Sequence, residues 1–67
     1  MIQITLNGEP QELDTQPTVA QLLDKMNLTQ RRVAVEINHE IIPKSRHQQR
    51  LVQAGDQIEI VHAIGGG

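Results

Sequence analysis

The chain has 67 residues and a formal net charge of -2, enough for one small domain and unsuited to a general polyanion binder. It contains no Phe, Tyr or Trp, so it lacks the stacking platforms of single-stranded nucleic-acid binders. It contains no cysteine either, which excludes a disulfide scaffold, a thiolate nucleophile and cysteine-based zinc sites. The sequence shows no membrane span or signal peptide, which favours a cytoplasmic protein. We expect a core of Ile, Leu, Val and Ala together with Met1 and Met26.

A β-hairpin is predicted at the start of the chain. Apolar residues alternate with polar ones over residues 2–6, the period of a half-buried strand. Asn7-Gly8 follows, a pair that accepts positive φ at both central positions of a type I′ turn. A second strand is expected near residues 9–14, and Pro10 places it at an edge or a bulge because proline cannot donate to a ladder.

A helix is predicted next, beginning with a capping box in which Thr18 is the N-cap and Gln21 reaches back to it. The helix is expected to end near Asn27, which tolerates a left-handed C-cap, with Leu28 closing back onto the helix. One apolar stripe faces the core, formed by Val19, Leu22, Leu23 and Met26.

The second half of the chain reads as further strands. Alternation predicts a third strand over residues 33–37, and Asn38-His39 is a plausible turn into an apolar pair that Pro43 ends. Residues 44–49 fit an irregular connection or a single helical turn. Leu51 and Val52 suggest a short strand, and residues 54–56 suggest a turn. The same-face positions of a last strand are Ile58, Ile60, His62 and Ile64.

These elements predict an α+β fold in which a mixed four- to five-stranded sheet packs on one main helix. The first and last strands are candidates for a parallel pair at the centre of the sheet, although the sequence does not fix that pairing. The expected core combines the helix stripe with Ile2, Ile4, Val33, Val35, Ile58 and Ile60. The domain is predicted to span residues 1–63, followed by a flexible C-terminal tail over residues 64–67.

The histidines do not form a metal motif. The spacings of His39, His47 and His62 match no compact ligand pattern, so we predict no metal site. His62 shares its alternation with the apolar positions of the last strand. A position at the rim of the core is the favoured interpretation for it, and a contact with a partner protein is the alternative.

A small basic cluster follows Pro43, comprising Lys44, Arg46, His47 and Arg50. Such a run is more often a solvated loop. The alternative is a docking patch for an acidic partner, which would raise the association rate more than the affinity.

The sequence ends in Ile64-Gly65-Gly66-Gly67, a stretch without β-carbons after Ile64. Such a tail is narrow enough to thread a tunnel closed to other residues, and four extended residues reach roughly 13 Å. The alternative is a frayed end or a cloning remnant. No catalytic triad, paired-carboxylate motif or phosphate loop is present. The α-carboxylate of Gly67 is therefore the best candidate reactive group, and it needs activation by a partner, such as conversion to an acyl-adenylate.

At this point the sequence resembles the ThiS family of sulfur carrier proteins from thiamine biosynthesis, within the ubiquitin-like β-grasp group. The resemblance covers the whole chain. It is carried by Asn7-Gly8, the helix opening Thr18-Val19 with Leu22-Leu23, the segments over residues 35–43 and 52–61, and the terminal glycines.

The resemblance implies a carrier that is a co-substrate of other enzymes. In that family the terminal glycine, here Gly67, is adenylated with ATP and Mg by an E1-like enzyme, ThiF, and no cofactor is bound by the carrier itself. The adenylate becomes a thiocarboxylate with sulfur from a persulfide relay fed by a cysteine desulfurase. The tail, here Ile64, Gly65 and Gly66 with Gly67, then enters thiazole synthase, ThiG, and donates sulfur to the thiazole.

We place the docking patch for these enzymes at Ile60, Val61 and His62, beside the root of the tail, and we expect a monomer when the carrier is free. Three alternatives stay open: the small subunit of molybdopterin synthase, a carrier serving another thiolation pathway, and a non-reactive β-grasp binding module. A protein-conjugating modifier is a weaker alternative. Deleting Gly66 and Gly67 separates a carrier from a binding module.

Overall fold

The computed structural model describes residues 1–62, so the predicted tail and the boundary after residue 63 lie outside the described residues. These residues form a five-stranded mixed sheet in the order β2-β1-β5-β3-β4 with one α-helix, α1. The strands are β1 (Ile2–Leu6), β2 (Glu9–Leu13), β3 (Val33–Ile37), β4 (Glu40–Ile42) and β5 (Gln57–His62), and α1 spans Val19–Lys25. The predicted mixed sheet packed on one helix is confirmed.

Both predicted tight turns close hairpins. Asn7 and Gly8 have φ of 50° and 85°, so the pair has the positive φ at both positions that a type I′ turn requires. Asn38 and His39 have φ of 52° and 70° and join β3 to β4. β2 is an edge strand, which explains how it accommodates Pro10.

The helix begins and ends as its sequence predicts. The Thr18 hydroxyl accepts from the Gln21 N–H at 3.1 Å, and the Gln21 side chain accepts from the Thr18 N–H at 2.9 Å. At the other end Asn27 has φ of 59°, and the Leu28 N–H donates to the Leu23 carbonyl at 2.8 Å. This closure is a Schellman motif, which satisfies carbonyls that the helix leaves free.

The parallel pair of β1 and β5 lies at the centre of the sheet. Thr5 is paired with Gln57 and Leu6 with Ile58, while β3 runs antiparallel on the other side of β5. The candidate arrangement of the first and last strands is therefore confirmed.

The core lies between the sheet and α1. Its buried residues are Ile4, Leu13, Val19, Leu22, Leu23, Val35, Ile37, Val52, Ile58 and Ile60. Ile2, Val33 and Met26 are partly buried against it. The expectation that Met1 belongs to the core is wrong: Met1 precedes β1 and is 85% exposed.

The connection between β4 and β5 differs from the prediction in one respect. Residues 44–46 form a 3-10 turn, and residues 54–55 form part of the predicted turn. However, Leu51 and Val52 form no strand, because Leu51 makes only an isolated bridge with Thr18 and the Val52 N–H donates to the Pro17 carbonyl at 2.8 Å. Val52 is nevertheless fully buried, so it packs in the core without belonging to the sheet.

Candidate functional site

The candidate site is the end of β5, the strand that leads into residues 63–67. β5 is the central strand, with β1 on one side and β3 on the other. The Asn7 N–H donates to the Ile58 carbonyl at 2.8 Å, and the Ile60 N–H donates to Asn7 Oδ1 at 2.8 Å. Asn7 thus supplies both the hairpin turn and a side-chain acceptor that holds β5 beyond the last β1 pair.

The three residues predicted to dock partners do not share one surface. Ile60 is 8% exposed and belongs to the core, so its side chain is not part of an exposed patch. The reason is strand alternation, which turns Ile60 toward α1 and Val61 to the opposite face. Val61 is 52% exposed, and His62 is exposed at the end of the strand on the helix side. The favoured interpretation of His62, a position packed at the rim of the core, is wrong because the residue is exposed.

On the sheet face away from α1, which we call the open face, apolar residues lie near the end of β5. Val61 is paired with Ala34 of β3. Ile41 of β4, which is 71% exposed, is paired with Glu36, two residues further along β3 from Ala34. Single exposed apolar residues are common on protein surfaces, so Val61 and Ile41 mark the open face only as a candidate contact surface. The apolar pattern did not distinguish Ile41 from Ile42, so the exposure of Ile41 was not predicted.

Two carboxylates lie beside these apolar residues. Glu36 and Glu59 are directly opposite one another in the β3–β5 register. Like charges in that position destabilise a sheet. The two carboxylates add negative charge to the open face, in the same row as Ile41.

Asp56, immediately before β5, fixes where that strand begins. It is 6% exposed, and its carboxylate accepts from the Gln53 N–H at 2.8 Å and from Asn38 Nδ2 at 3.1 Å. Arg50 Nη2 lies 3.6 Å from Asp56 Oδ2. A buried carboxylate is tolerated only with such partners. The sequence predicted a turn here but not this network, because Asn38 and Arg50 are distant in the chain.

The basic cluster is not one solvated loop or one docking patch. His47 is 7% exposed, and its Nε2 lies 2.9 Å from the Ile42 carbonyl oxygen, so Nε2 carries the proton it donates. Arg50 contacts Asp56 and the Leu51 carbonyl. Only Lys44 and Arg46 are exposed members of the cluster. Packing that a local charge pattern does not report buries His47 and leaves Arg50 half-buried, with 31% of its side chain exposed.

A cleft of about 340 Å³ runs between α1 and the 3-10 turn. It has an apolar side formed by Leu23, Leu28 and Val33, and Arg31 and Lys44 lie along it. Within residues 1–62 no group of three or more His, Asp or Glu side chains is placed to hold a metal ion. In the same range no helix is long and apolar enough to cross a membrane.

Comparison with known proteins identifies the family. The model of the ThiS family matches residues 4–67, which takes in β5 and the terminal glycines. The chain belongs to the ThiS family. As a ThiS-family chain it is 35% identical over 66 residues to the sulfur carrier protein ThiS of Escherichia coli (strain K12), covering 98% of this chain and 100% of that protein.

Longer relatives also contain a ThiS-like region. The chain is 44% identical over 66 residues to a thiazole synthase of Paramagnetospirillum magneticum, but it spans only 20% of the length of that protein. The crystal structure of the thiamine biosynthesis protein ThiS from Geobacter metallireducens matches this fold with a TM-score of 0.86 at 30% identity, covering 98% of this chain and 100% of that one. The predicted ubiquitin-like β-grasp fold is therefore confirmed.

Proposed function

We propose that this chain is a sulfur carrier of thiazole formation in thiamine biosynthesis, with Gly67 as its covalently modified residue. It acts as a protein co-substrate of other enzymes in the cytoplasm and is a monomer when free. The observation that carries this proposal is the ThiS family match through residue 67, because that match includes the glycines that bring the carboxylate to a partner.

The proposal is supported by the contrast between β5, which is held in the sheet, and the glycines that follow it in sequence. β5 is paired on both sides at the level of Ile58, where it is anchored by Leu6 and Ile37, so the strand is held firmly in the sheet. The residues that follow start from this anchored strand. Gly65, Gly66 and Gly67 add no side chain beyond Ile64, which suits them to enter a narrow active site.

The chemistry requires a partner at every step. In the first step the Gly67 carboxylate attacks the α-phosphorus of MgATP, pyrophosphate leaves, and an acyl-adenylate forms. A sulfur nucleophile then displaces AMP from the carbonyl carbon. This chain has no cysteine, so the sulfur nucleophile belongs to another protein. The resemblance to ThiS carriers implies that it is a persulfide relay supplied by a cysteine desulfurase. When the terminal persulfide sulfur displaces AMP, an acyl disulfide with the relay protein forms, and a second thiolate of the partners then attacks the relay sulfur, forms a disulfide with it and releases the thiocarboxylate. The thiocarboxylate delivers sulfur to the forming thiazole.

The proposed partners are an E1-like adenylyltransferase of the ThiF type, which holds ATP and Mg, and a thiazole synthase of the ThiG type. The sequence relationship to thiazole synthases supports the second partner, because those proteins carry a similar region of this length. We place the contact surface at Val61 and His62 beside the tail root, together with Ala34 and Ile41 on the open face.

The test compares the intact chain with a variant that lacks Gly66 and Gly67, using ATP–pyrophosphate exchange catalysed by a purified ThiF-type enzyme. We expect exchange with the intact chain and none with the shortened one. Both proteins should have the same far-ultraviolet circular dichroism, since residues 1–62 form the core without the glycines. Equal exchange with both proteins, or exchange with neither, would contradict the proposal and favour a non-reactive binding module.

A further inference from the structure

The last part of β5 has a partner strand on only one side. The pairing of β1 with β5 ends at Leu6 and Ile58, whereas β5 continues to His62. On the other side β3 stays paired with β5 as far as His62, which lies opposite Val33. Over residues 59–62 β5 is therefore an edge strand on the side of β1, within the described part of the chain.

The hydrogen bonds to β1 identify which backbone groups face that side. The Asp56 carbonyl accepts from the Thr5 N–H at 3.0 Å, and the Ile58 carbonyl accepts from the Asn7 N–H at 2.8 Å. Backbone groups of successive strand residues point to opposite sides of the strand. The even-numbered residues of β5 therefore direct their N–H and C=O groups toward β1.

The bonds on the other side agree with this assignment. The Gln57 carbonyl accepts from the Asn38 N–H at 2.8 Å, on the β3 side, so the odd-numbered residues face β3. The Ile60 carbonyl and the His62 N–H and carbonyl thus point into the space beyond the end of β1. We call these three groups the open edge of β5.

The Ile60 N–H also points to this side, but it already has a hydrogen-bond acceptor, so the open edge begins after it. The Ile60 N–H donates to Asn7 Oδ1 at 2.8 Å, so a side chain takes the position that the next β1 residue would have held. Past Asn7 the chain turns through Gly8 into β2, which lies on the far side of β1. His62 and Val61 are both exposed at this point.

We propose that the open edge of β5 binds an extended backbone segment of the enzyme that receives the tail, adding a strand to the sheet beside the tail root. The inference rests on the proposed function. The occupant follows from chain continuity: residue 63 comes directly after His62, so an enzyme that takes Gly67 into its active site must lie beside this edge.

Backbone pairing of this kind also suits a carrier that visits several enzymes. Main-chain hydrogen bonds supply affinity without requiring particular side chains, while side chains on either side supply specificity. The same open edge can therefore pair with extended segments of different sequence in an adenylating enzyme and in a sulfur acceptor. Val61, on the open face, would then add the contacts that distinguish one partner from another.

Hydrogen exchange of individual amides tests this directly. The ¹⁵N-labelled full chain is incubated in D₂O alone and with excess ThiF-type enzyme and MgATP, and the remaining amide signals are compared. We expect the His62 amide to exchange rapidly in the free chain and to become at least tenfold slower in the complex. The Ile60 amide, already bonded to Asn7, is the internal reference for protection in the free chain. A His62 amide that stays as fast in the complex as in the free chain would overturn the proposal.

A pair of variants separates the backbone from the side chain. His62→Pro removes the N–H of the open edge without removing a bond to β3, whereas His62→Ala keeps the N–H and removes only the imidazole. We expect His62→Pro to raise the KM for adenylation about tenfold relative to His62→Ala, the effect of one lost interface hydrogen bond. Equal KM values would overturn the proposal. If His62→Pro is less folded by circular dichroism than His62→Ala, the exchange experiment on the unmodified chain decides.

Two further outcomes are distinguishable. Absence of adenylation of the unmodified chain contradicts the proposed function itself, whereas normal adenylation with an unprotected His62 amide contradicts only the strand addition. A second copy of this chain could also occupy the open edge. Sedimentation velocity should show a monomer, and a dimer that His62→Pro dissociates would overturn the assignment of the edge to the enzyme.

Discussion

Asn7 connects the first hairpin to β5, and substitutions at this position should destabilise the fold. Its backbone adopts φ of 50°, and its Oδ1 accepts from the Ile60 N–H at 2.8 Å. Three substitutions separate these two roles. Asn7→Asp keeps an acceptor and tolerates positive φ, Asn7→Gly keeps only the conformational freedom, and Asn7→Ala keeps neither.

The magnitudes follow from those losses. Removing the acceptor from a partly buried N–H costs about 1 kcal/mol, and the extra freedom of glycine in the unfolded chain adds about 0.5 kcal/mol. Forcing alanine into the left-handed region costs about 1 kcal/mol in addition to the lost bond. We therefore expect the free energy of unfolding to fall by about 1.5 kcal/mol for Asn7→Gly and about 2 kcal/mol for Asn7→Ala, with Asn7→Asp close to the natural protein.

The assay is urea unfolding followed by far-ultraviolet circular dichroism, since the chain has no aromatic residue for fluorescence. For a domain of this size 1 kcal/mol corresponds to about 4–8 °C in Tm, so all three variants are distinguishable by thermal unfolding as well. The Ile60 amide should lose protection from hydrogen exchange in Asn7→Gly and keep it in Asn7→Asp. Unchanged stability and unchanged Ile60 protection in Asn7→Gly would refute the role assigned to this side chain.

Four other substitutions test the site and its scaffold. Asp56→Asn should lower the free energy of unfolding by about 2–3 kcal/mol. The asparagine amide nitrogen would replace one of the two carboxylate oxygens that now accept hydrogen bonds from N–H groups, so that one of these groups would lose its acceptor. Equal urea midpoints would contradict this. Glu59→Gln should leave the fold as stable or raise its stability by about 0.3 kcal/mol, since it relieves repulsion from Glu36; a urea midpoint below that of the natural protein would argue against that repulsion. Ile60→Ala should cost about 2–4 kcal/mol of stability, whereas Val61→Ala should unfold at nearly the same urea concentration as the natural protein and raise the KM for adenylation; the reverse pattern would mean that the two faces of β5 are wrongly assigned.

The sequence predicts the parts of this fold that depend on neighbouring residues. Asn7 and Gly8 both have the positive φ that their turn type requires. Thr18 and Gln21 form the capping box that their spacing indicates. Each of these signals acts within four residues, so no tertiary information is needed to detect it.

The misassigned residues are those whose environment is set by distant parts of the chain. Val52 lies outside the strands because its N–H donates to the Pro17 carbonyl, and the loop that contains His47 is held against α1 because the Ala20 N–H donates to the His47 carbonyl at 2.8 Å. Neither contact is visible in a local pattern. The predicted docking residue Ile60 was wrong for a different reason: alternation had already placed it with Ile58 on the core face, so it could not also be exposed.

The candidate site also combines features that are visible in the sequence with one that depends on the folded structure. The glycines and the strand before them are visible in the sequence, and the family match includes both. The open edge of β5 depends on where β1 stops relative to β5, which is a property of register between strands more than fifty residues apart in sequence. Register of that kind is set by the packed core and the Asp56 network, so it emerges only from the folded structure.

The intact mass of the purified protein, measured after incubation with a ThiF-type enzyme, MgATP and a sulfide source, tests the central claim most directly. We expect a mass gain equal to the replacement of one oxygen by one sulfur, and no gain when Gly67 is deleted. An unchanged mass, under conditions in which the same enzyme converts an established carrier to its thiocarboxylate, would contradict it.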